Sequence, residues 1–310
     1  MKNNTIATAG DRNYLWGIFL MISSLRCAGM DERVIVGTRG FDREAEDILS
    51  QLGDVSFYPL DDFQRSLTCC KPLVMLQAGT DYITWADSDA FFFGNCSARL
   101  IPETPEEIHV RMRSPEEMPQ AFRGYCYGED GSRIPQAVLD VWRDNLHGLD
   151  KPRITRSCSA CFLSVHRSAR PFLEKWHEQM MTVLPTGNVG VVDRSLKYYH
   201  QLDESVLNSC LAFFPDAPRV AGTYRLDKDP DEIFIHFIGQ PKPWQGWTPS
   251  SIRHFPRYVS VVEFARKQGW RMPGEIPWCL KRENRWLCRM LQYPVSLNFK
   301  IRKRLRKLLH

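Results

Sequence analysis

A chain of 310 residues with 43% hydrophobic and 12% aromatic side chains can bury a substantial core, which excludes a disordered protein. The formal net charge of +5 is unevenly spread: residues 281–310 carry ten Lys or Arg against one acid, Glu283, while the other 280 residues hold 31 basic and 35 acidic side chains. Basicity is thus a terminal feature, no apolar run approaches the ~20 residues of a membrane-spanning helix, and the start Met1-Lys2-Asn3-Asn4 leads into a strand without a signal-peptide core. The expectation is a cytoplasmic protein.

In chain order, Thr5 to Ala9 predicts a strand, Gly10 to Asn13 a loop, and Tyr14 onward a helix whose Leu15, Ile18, Phe19, Ile22 and Leu25 recur at helical spacing until Gly29. Arg33 to Gly37 predicts a second strand, Asp42 to Leu52 a helix and Val55 to Leu60 a third strand. A helix around Thr68 to Ala78 then leads to the strand Tyr82 to Ala86. Such alternation implies a parallel α/β sheet with ligands at the carboxyl ends of its strands. Residues 102–152 are looser, rich in Pro, Glu, Gly and Arg around one helix bearing Val138, Leu139, Trp142 and Leu146; recognition of a binding partner is expected there. Cys158 to Val165 predicts a strand, followed by a helix with Phe172, Leu173, Trp176 and Met180. A short helix then runs from His200 through Phe213, and Glu232 to Ile238 predicts a last strand.

The ten cysteines include the adjacent pair Cys69 and Cys70, while Cys27 and Cys210 fall in apolar helical patterns, so reduced thiols serving as small buried hydrophobes are expected. Cys158 and Cys161 form a lone Cys-x-x-Cys with no second pair at zinc-ribbon spacing.

Two distant segments carry the chemistry. Asp87-Ser88-Asp89 ends the Tyr82 strand; extended geometry would put both carboxylates on one side, close enough to share a hard divalent cation. His236-Phe237-Ile238-Gly239-Gln240-Pro241-Lys242-Pro243-Trp244 adds an imidazole for the same cation, a glycine that admits backbone near a ligand, and a lysine for phosphates. Together they suggest a metal-held diphosphate, whose departure needs its charge neutralised in place. Taken alone, Asp11 and Asn13 are equally readable as turn and cap residues, and Trp244 and Trp247 as packing residues.

The ordered set Ala9-Gly10-Asp11-Arg12-Asn13-Tyr14, Lys71, Asp87-Ser88-Asp89, Ser159-Ala160-Cys161, Asp203-Glu204-Ser205-Val206-Leu207-Asn208 and His236 to Trp244 resembles the glycogenin-like retaining glycosyltransferases, which include bacterial lipopolysaccharide galactosyl- and glucosyltransferases. The resemblance spans residues 5 to about 245 and implies a GT-A fold, a Rossmann-like mixed sheet flanked by helices. It further implies a UDP-sugar donor, a glycan or lipid-linked glycan acceptor, and Mn2+ or Mg2+. By the same resemblance Asp87, Asp89 and His236 would be metal ligands; Ala9, Asp11, Asn13, Ser88, Ser159, Gly239 and Lys242 would contact the donor, with Gly239 and Lys242 at its diphosphate. Lys71 and Asp203 resemble the positions that hold sugar hydroxyls. Ser159 stands where the family usually has Asn, Cys161 where it usually has Gly, and Glu204 where an amide is common.

Asp203 and Glu204 are the catalytic candidates. Glu204 can attack the anomeric carbon, giving a covalent intermediate and retention, or act only through its charge while the acceptor attacks from the leaving-group side. Both acids also suit the first turn of a helix, whose dipole favours them. The implied domain spans residues 1–270, followed by a basic tail, 271–310, in which Leu297, Ile301, Leu305 and Leu308 form one stripe of an amphipathic helix. Such a helix can lie on an anionic membrane, which suits a peripheral enzyme on the inner face of the cell membrane; without interleaved aromatics among its cations it does not suit nucleic acid. Two other classes fit the same carboxylates: a non-catalytic nucleotide-sugar-binding protein, and a metal-dependent nucleotidyltransferase or phosphohydrolase.

Overall fold

In the computed structural model, residues 3–122, 131–186, 195–223, 234–237, 239 and 241–308 are described. The chain alternates strand and helix from its start: β1 (Asn4–Asp11), α1 (Leu15–Cys27), β2 (Arg33–Arg39), α2 (Arg43–Ser50), β3 (Val55–Pro59), α3 (Lys71–Met75) and β4 (Tyr82–Ala86). It continues through β5 (Ala90–Phe92), α4 (Ser97–Leu100), β6 (Glu107–Met112), α5 (Met118–Ala121), α6 (Gln136–Leu146), β7 (Cys158–His166), α7 (Arg170–Val183) and α8 (Asp203–Phe213). The last elements are β8 (Arg219–Thr223), β9 (Phe234–His236), α9 (Phe255–Lys267) and α10 (Arg285–Leu308).

The seven-stranded sheet has the order β3-β2-β1-β4-β7-β6-β8, and β5 pairs with β9 in a separate ribbon. Within the seven-stranded sheet pairing is parallel except where β7 runs antiparallel to both β4 and β6; the β5–β9 ribbon is antiparallel. Central strands are covered on both faces, as their near-continuous apolar sequence requires. Alternation along them sorts the core into two layers: Ala7, Ile35, Trp85, Cys158 and Ala160 face a cluster that includes residues of α3, α6, α7 and α8. Ile6, Val34, Val36, Ala86 and Cys161 face residues of α1, α2 and α9, and Phe162 joins them where the β6–β7 register shift breaks the alternation. The carboxyl ends of β1, β4 and β6 and the start of β7 therefore open on one edge of the sheet, where α/β folds bind ligands.

Several expectations need correction. The helix expected at Thr68 to Ala78 is a 3-10 turn, Leu67–Cys70, followed by the short α3, because Pro72 has no N–H to continue a helix begun earlier. The loose 102–152 region contributes β6 to the sheet, hidden from a periodicity search by the charged Glu107 and Arg111 within it. The strand expected at 232–238 is observed as β9, with residues 232, 233 and 238 outside the described set. Among described cysteines all are free and eight are buried, but Cys27 is exposed at the last turn of α1, so it is not the buried hydrophobe expected. The tail helix α10 begins at Arg285, upstream of the apolar stripe, and carries Pro294 inside it. Cys279, Leu280 and Cys288 pack into the core, whereas Trp286, Met290, Tyr293, Leu297, Ile301 and Leu305 are exposed. No helix among the described residues is long and apolar enough to cross a membrane.

Candidate active site

Asp87 and Asp89 meet through a turn rather than through strand alternation. The Ala90 N–H donates to Asp87 O at 2.8 Å, closing the chain between β4 and β5. The β5–β9 register sets Ala90 opposite His236, which carries the imidazole back to the turn. His236 Nε2 lies 3.1 Å from Asp89 Oδ1 and 3.4 Å from Asp87 Oδ2. One ligand atom from each of the three residues falls within 4.8 Å of the others, a spacing that suits a shared cation. Two carboxylates and an imidazole, once a cation takes the place of its proton, are a donor set for a hard or borderline divalent ion, so the residues fit Mn2+ or Mg2+.

The charges around this cluster are nearly balanced. Lys242 Nζ donates to Asp89 Oδ2 and, at 2.8 Å, to the Phe237 carbonyl. Burial opposes ionisation of Asp89, but His236 and then Lys242 overcome it and hold its carboxyl well below the usual range. Burial likewise opposes protonation of His236, and the Asp89 carboxylate, with Cys161 beside it, raises the imidazolium well above the ordinary histidine range. Lys71 is the second buried cation. Its Nζ reaches Asp87 Oδ1 at 2.9 Å, Asp203 Oδ2 at 3.1 Å and the Ala160 carbonyl at 2.7 Å. Despite burial, Asp203 and then Asp87 keep Lys71 charged by raising its pKa. One cation cannot neutralise two carboxylates. Asp203, 4% exposed, is pushed up to about 6 by burial, against Lys71, with Asp87 and Glu204 adding repulsion.

Glu204, adjacent to Asp203 in the first turn of α8, is held separately. Its Oε1 accepts from Arg113 Nη2 and its Oε2 from the Ala160 N–H at 3.1 Å. Asn208 stitches α8 to β7, donating to the Glu204 and Cys158 carbonyls at 2.7 and 2.9 Å and accepting from the Cys158 N–H at 2.7 Å. Just before the helix, Leu202 has φ 47°, a strained conformation for a branched residue.

Other residues singled out by sequence lie at varied distances from this arrangement. Asp11 ends β1 and its Oδ1 accepts from the Asn13 N–H at 2.9 Å, the capping role that sequence also allowed. Ala9 and Ser159 are buried near the ends of β1 and β7. Ser88 is buried between the two acids, and its carbonyl faces α1 so closely that a Cβ on Gly17 would lie 2.6 Å from it and 2.5 Å from Trp244 Cη2. Gly239 has φ +87° and open space around the position a Cβ would take, consistent with a backbone bend that only glycine adopts freely. Trp244 and Trp247 are buried, Trp244 edge-on to Tyr14 with centroids 5.8 Å apart. Sequence reasoning missed Arg113, Gly17 and Trp85, whose Nε1 donates to Asp87 Oδ1 at 2.7 Å. Arg113 follows a strand that the sequence pattern conceals; an aromatic two residues before an Asp-x-Asp was the only readable hint of the third.

No family model matches the chain, and no curated protein sequence does either. Solved structures do. The fold is similar to that of the glycosyltransferase GlyE from Streptococcus pneumoniae TIGR4, with TM-score 0.54 and 14% identity over 89% of this chain and 66% of GlyE. It is also similar to the bifunctional glycosyltransferase WbbM, with TM-score 0.51 and 13% identity over 79% of this chain and 47% of WbbM. The chain therefore spans about half the length of one and about two thirds of the other, and at such identity the likeness establishes the mixed α/β, GT-A type of fold.

Proposed function

We propose that the chain moves a hexose from a UDP-sugar to a glycan acceptor with retention of configuration, using Mn2+ or Mg2+ held by Asp87, Asp89 and His236. The observation that most supports this is the convergence of those three side chains on one sheet edge of a fold shared with glycosyltransferases. The cation would neutralise charge on the departing diphosphate. In this reading Lys242 exchanges Asp89 for the phosphates, Gly239 gives them backbone access, and Ala9, Asp11 and Asn13 meet the nucleoside. Lys71 keeps Asp87 oriented and turns Asp203 toward the sugar hydroxyls, with Ser88 and Ser159 lining the same space.

Residues 1–270 would form the transferase domain and 271–310 the attachment to an anionic membrane. The exposed apolar residues of α10, in a segment with no acid after Glu283, support that reading. It suits a lipid-linked acceptor in bacterial surface polysaccharide or lipopolysaccharide synthesis, on the cytoplasmic side of the cell membrane.

The test is incubation with UDP-glucose, UDP-galactose and their N-acetyl forms, with and without Mn2+. Cation-dependent release of intact UDP is expected, abolished in Asp89→Ala. Pyrophosphate, UMP or sugar phosphate in its place would assign the site to a nucleotidyltransferase or phosphohydrolase instead.

A further inference from the structure

Arg113 lies one residue beyond β6, where a register shift between Val110 and Arg111 brings the strand end level with the start of β7. Its Nη1 donates to Ser157 Oγ at 3.0 Å and to the Cys158 carbonyl at 2.9 Å, and its Nη2 to Glu204 Oε1. The second oxygen of Glu204 is taken by the Ala160 N–H. The two side chains are 13% and 14% exposed, so water screens the pair only weakly. The guanidinium is thus anchored to β7 on one side and grips the acid on the other, while Asn208 fixes the backbone beneath that acid.

We propose that Arg113 is a positioning residue that fixes Glu204 and offsets its charge, so that Glu204 serves the sugar-transfer site as a fixed hydrogen-bonding wall and forms no bond to the anomeric carbon. This rests on the transferase reading above. A nucleophilic carboxylate needs an unmatched charge and an oxygen able to advance; here one oxygen is paired with a cation and the other is tied to a strand N–H. The neighbouring acid differs, because Asp203 shares Lys71 with Asp87.

A charge-cancelling cycle tests the assignment. Arg113→Met leaves a largely covered carboxylate without its cation and Glu204→Gln leaves a largely covered guanidinium without its anion, whereas the double variant leaves neither. Each single change is expected to lower kcat for UDP release by about 30-fold or more while the donor KM moves less than about threefold, and the double variant to return within about fivefold of the parent. Midpoints of thermal unfolding should follow the same order, both singles below the double. Arg113→Lys, which keeps the charge but not the fork, should restore the midpoint and leave kcat no higher than in the double variant. Mass spectrometry of enzyme incubated with a 2-fluoro donor sugar should find no glycosylated Glu204.

Additive losses in the double variant, full kcat with lysine at 113, or an adduct on Glu204 would each overturn the proposal. A parent enzyme that releases UDP from no donor defeats the transferase reading by itself; the unfolding cycle then decides the pair without turnover, with additivity counting against it.

Discussion

Lys242 and Asp89, 153 positions apart, form a buried ion pair on the same carboxylate that His236 approaches at 3.1 Å. A divalent cation binding there must compete with the ammonium for Asp89 oxygens. Lys242→Met is therefore expected to tighten Mn2+ binding about tenfold in the absence of nucleotide and to weaken UDP binding by a similar factor, as read by calorimetry. Unchanged Mn2+ affinity would contradict the competition. Asp89→Asn should remove measurable Mn2+ binding altogether.

Asp203 gives the fold a pH dependence of known sign. Burial, opposed by Lys71 and reinforced by Asp87 and Glu204, pushes it up to about 6 from a usual 3.8. A carboxyl whose folded pKa is raised stabilises the fold fully below its unfolded value and loses that contribution as pH rises through its folded one. Between about pH 4 and pH 7 the parent should lose on the order of 3 kcal/mol relative to Asp203→Asn, measured as urea midpoints without metal. A stability difference that stays constant across that window would refute this.

Gly17 is tested by the smallest side chain. A methyl there meets Trp244 at 2.5 Å and the Ser88 carbonyl at 2.6 Å, and backbone cannot yield as a flexible side chain can. Gly17→Ala should cost about 1–3 kcal/mol and weaken Mn2+ binding, since Ser88 separates the two acids. Gly79→Ala, with nothing within 4 Å and no positive φ, is the control expected to be near neutral. Equal unfolding midpoints for the two variants would show that α1 gives way.

Removing residues 295–310 takes Leu297, Ile301 and Leu305 and the cations from Lys300 to Lys307, but leaves Trp286, Met290 and Tyr293. Co-sedimentation with phosphatidylglycerol vesicles should fall by about tenfold or more, because each basic residue near such a surface contributes on the order of 1 kcal/mol. Donor hydrolysis should be unchanged. Equal recovery with anionic vesicles before and after truncation would reject the tail as an electrostatic anchor.

Much of this was readable in the residues. The alternation of Leu15, Ile18, Phe19 and Ile22 against short Val- and Ile-rich strands marks the parallel half of the sheet, because those strands are buried on both faces. Asp87, Asp89 and His236 were singled out as a set because their chemistry is complementary, and they do converge. What the sequence hides is what depends on pairing partners. β6 carries charges that only its neighbours make tolerable, with Glu107 bonded to Arg219 and Arg111 to Glu117. Arg113 gains its role from a register shift, and the turn at Asp87 from a single backbone bond to Ala90, neither of which leaves a periodic trace.

The imidazole reaches its cluster through a ladder only three residues long on each strand, Ala90–Phe92 against Phe234–His236. So short a ribbon has little rigidity of its own. An ion gripping a donor on each strand would act as a rivet, closing a loop that spans much of the polypeptide. Loading the site and locking down the downstream half would then be one thermodynamic event, and the saturated protein should resist proteolysis around β9 in proportion to how far ligand concentration exceeds Kd.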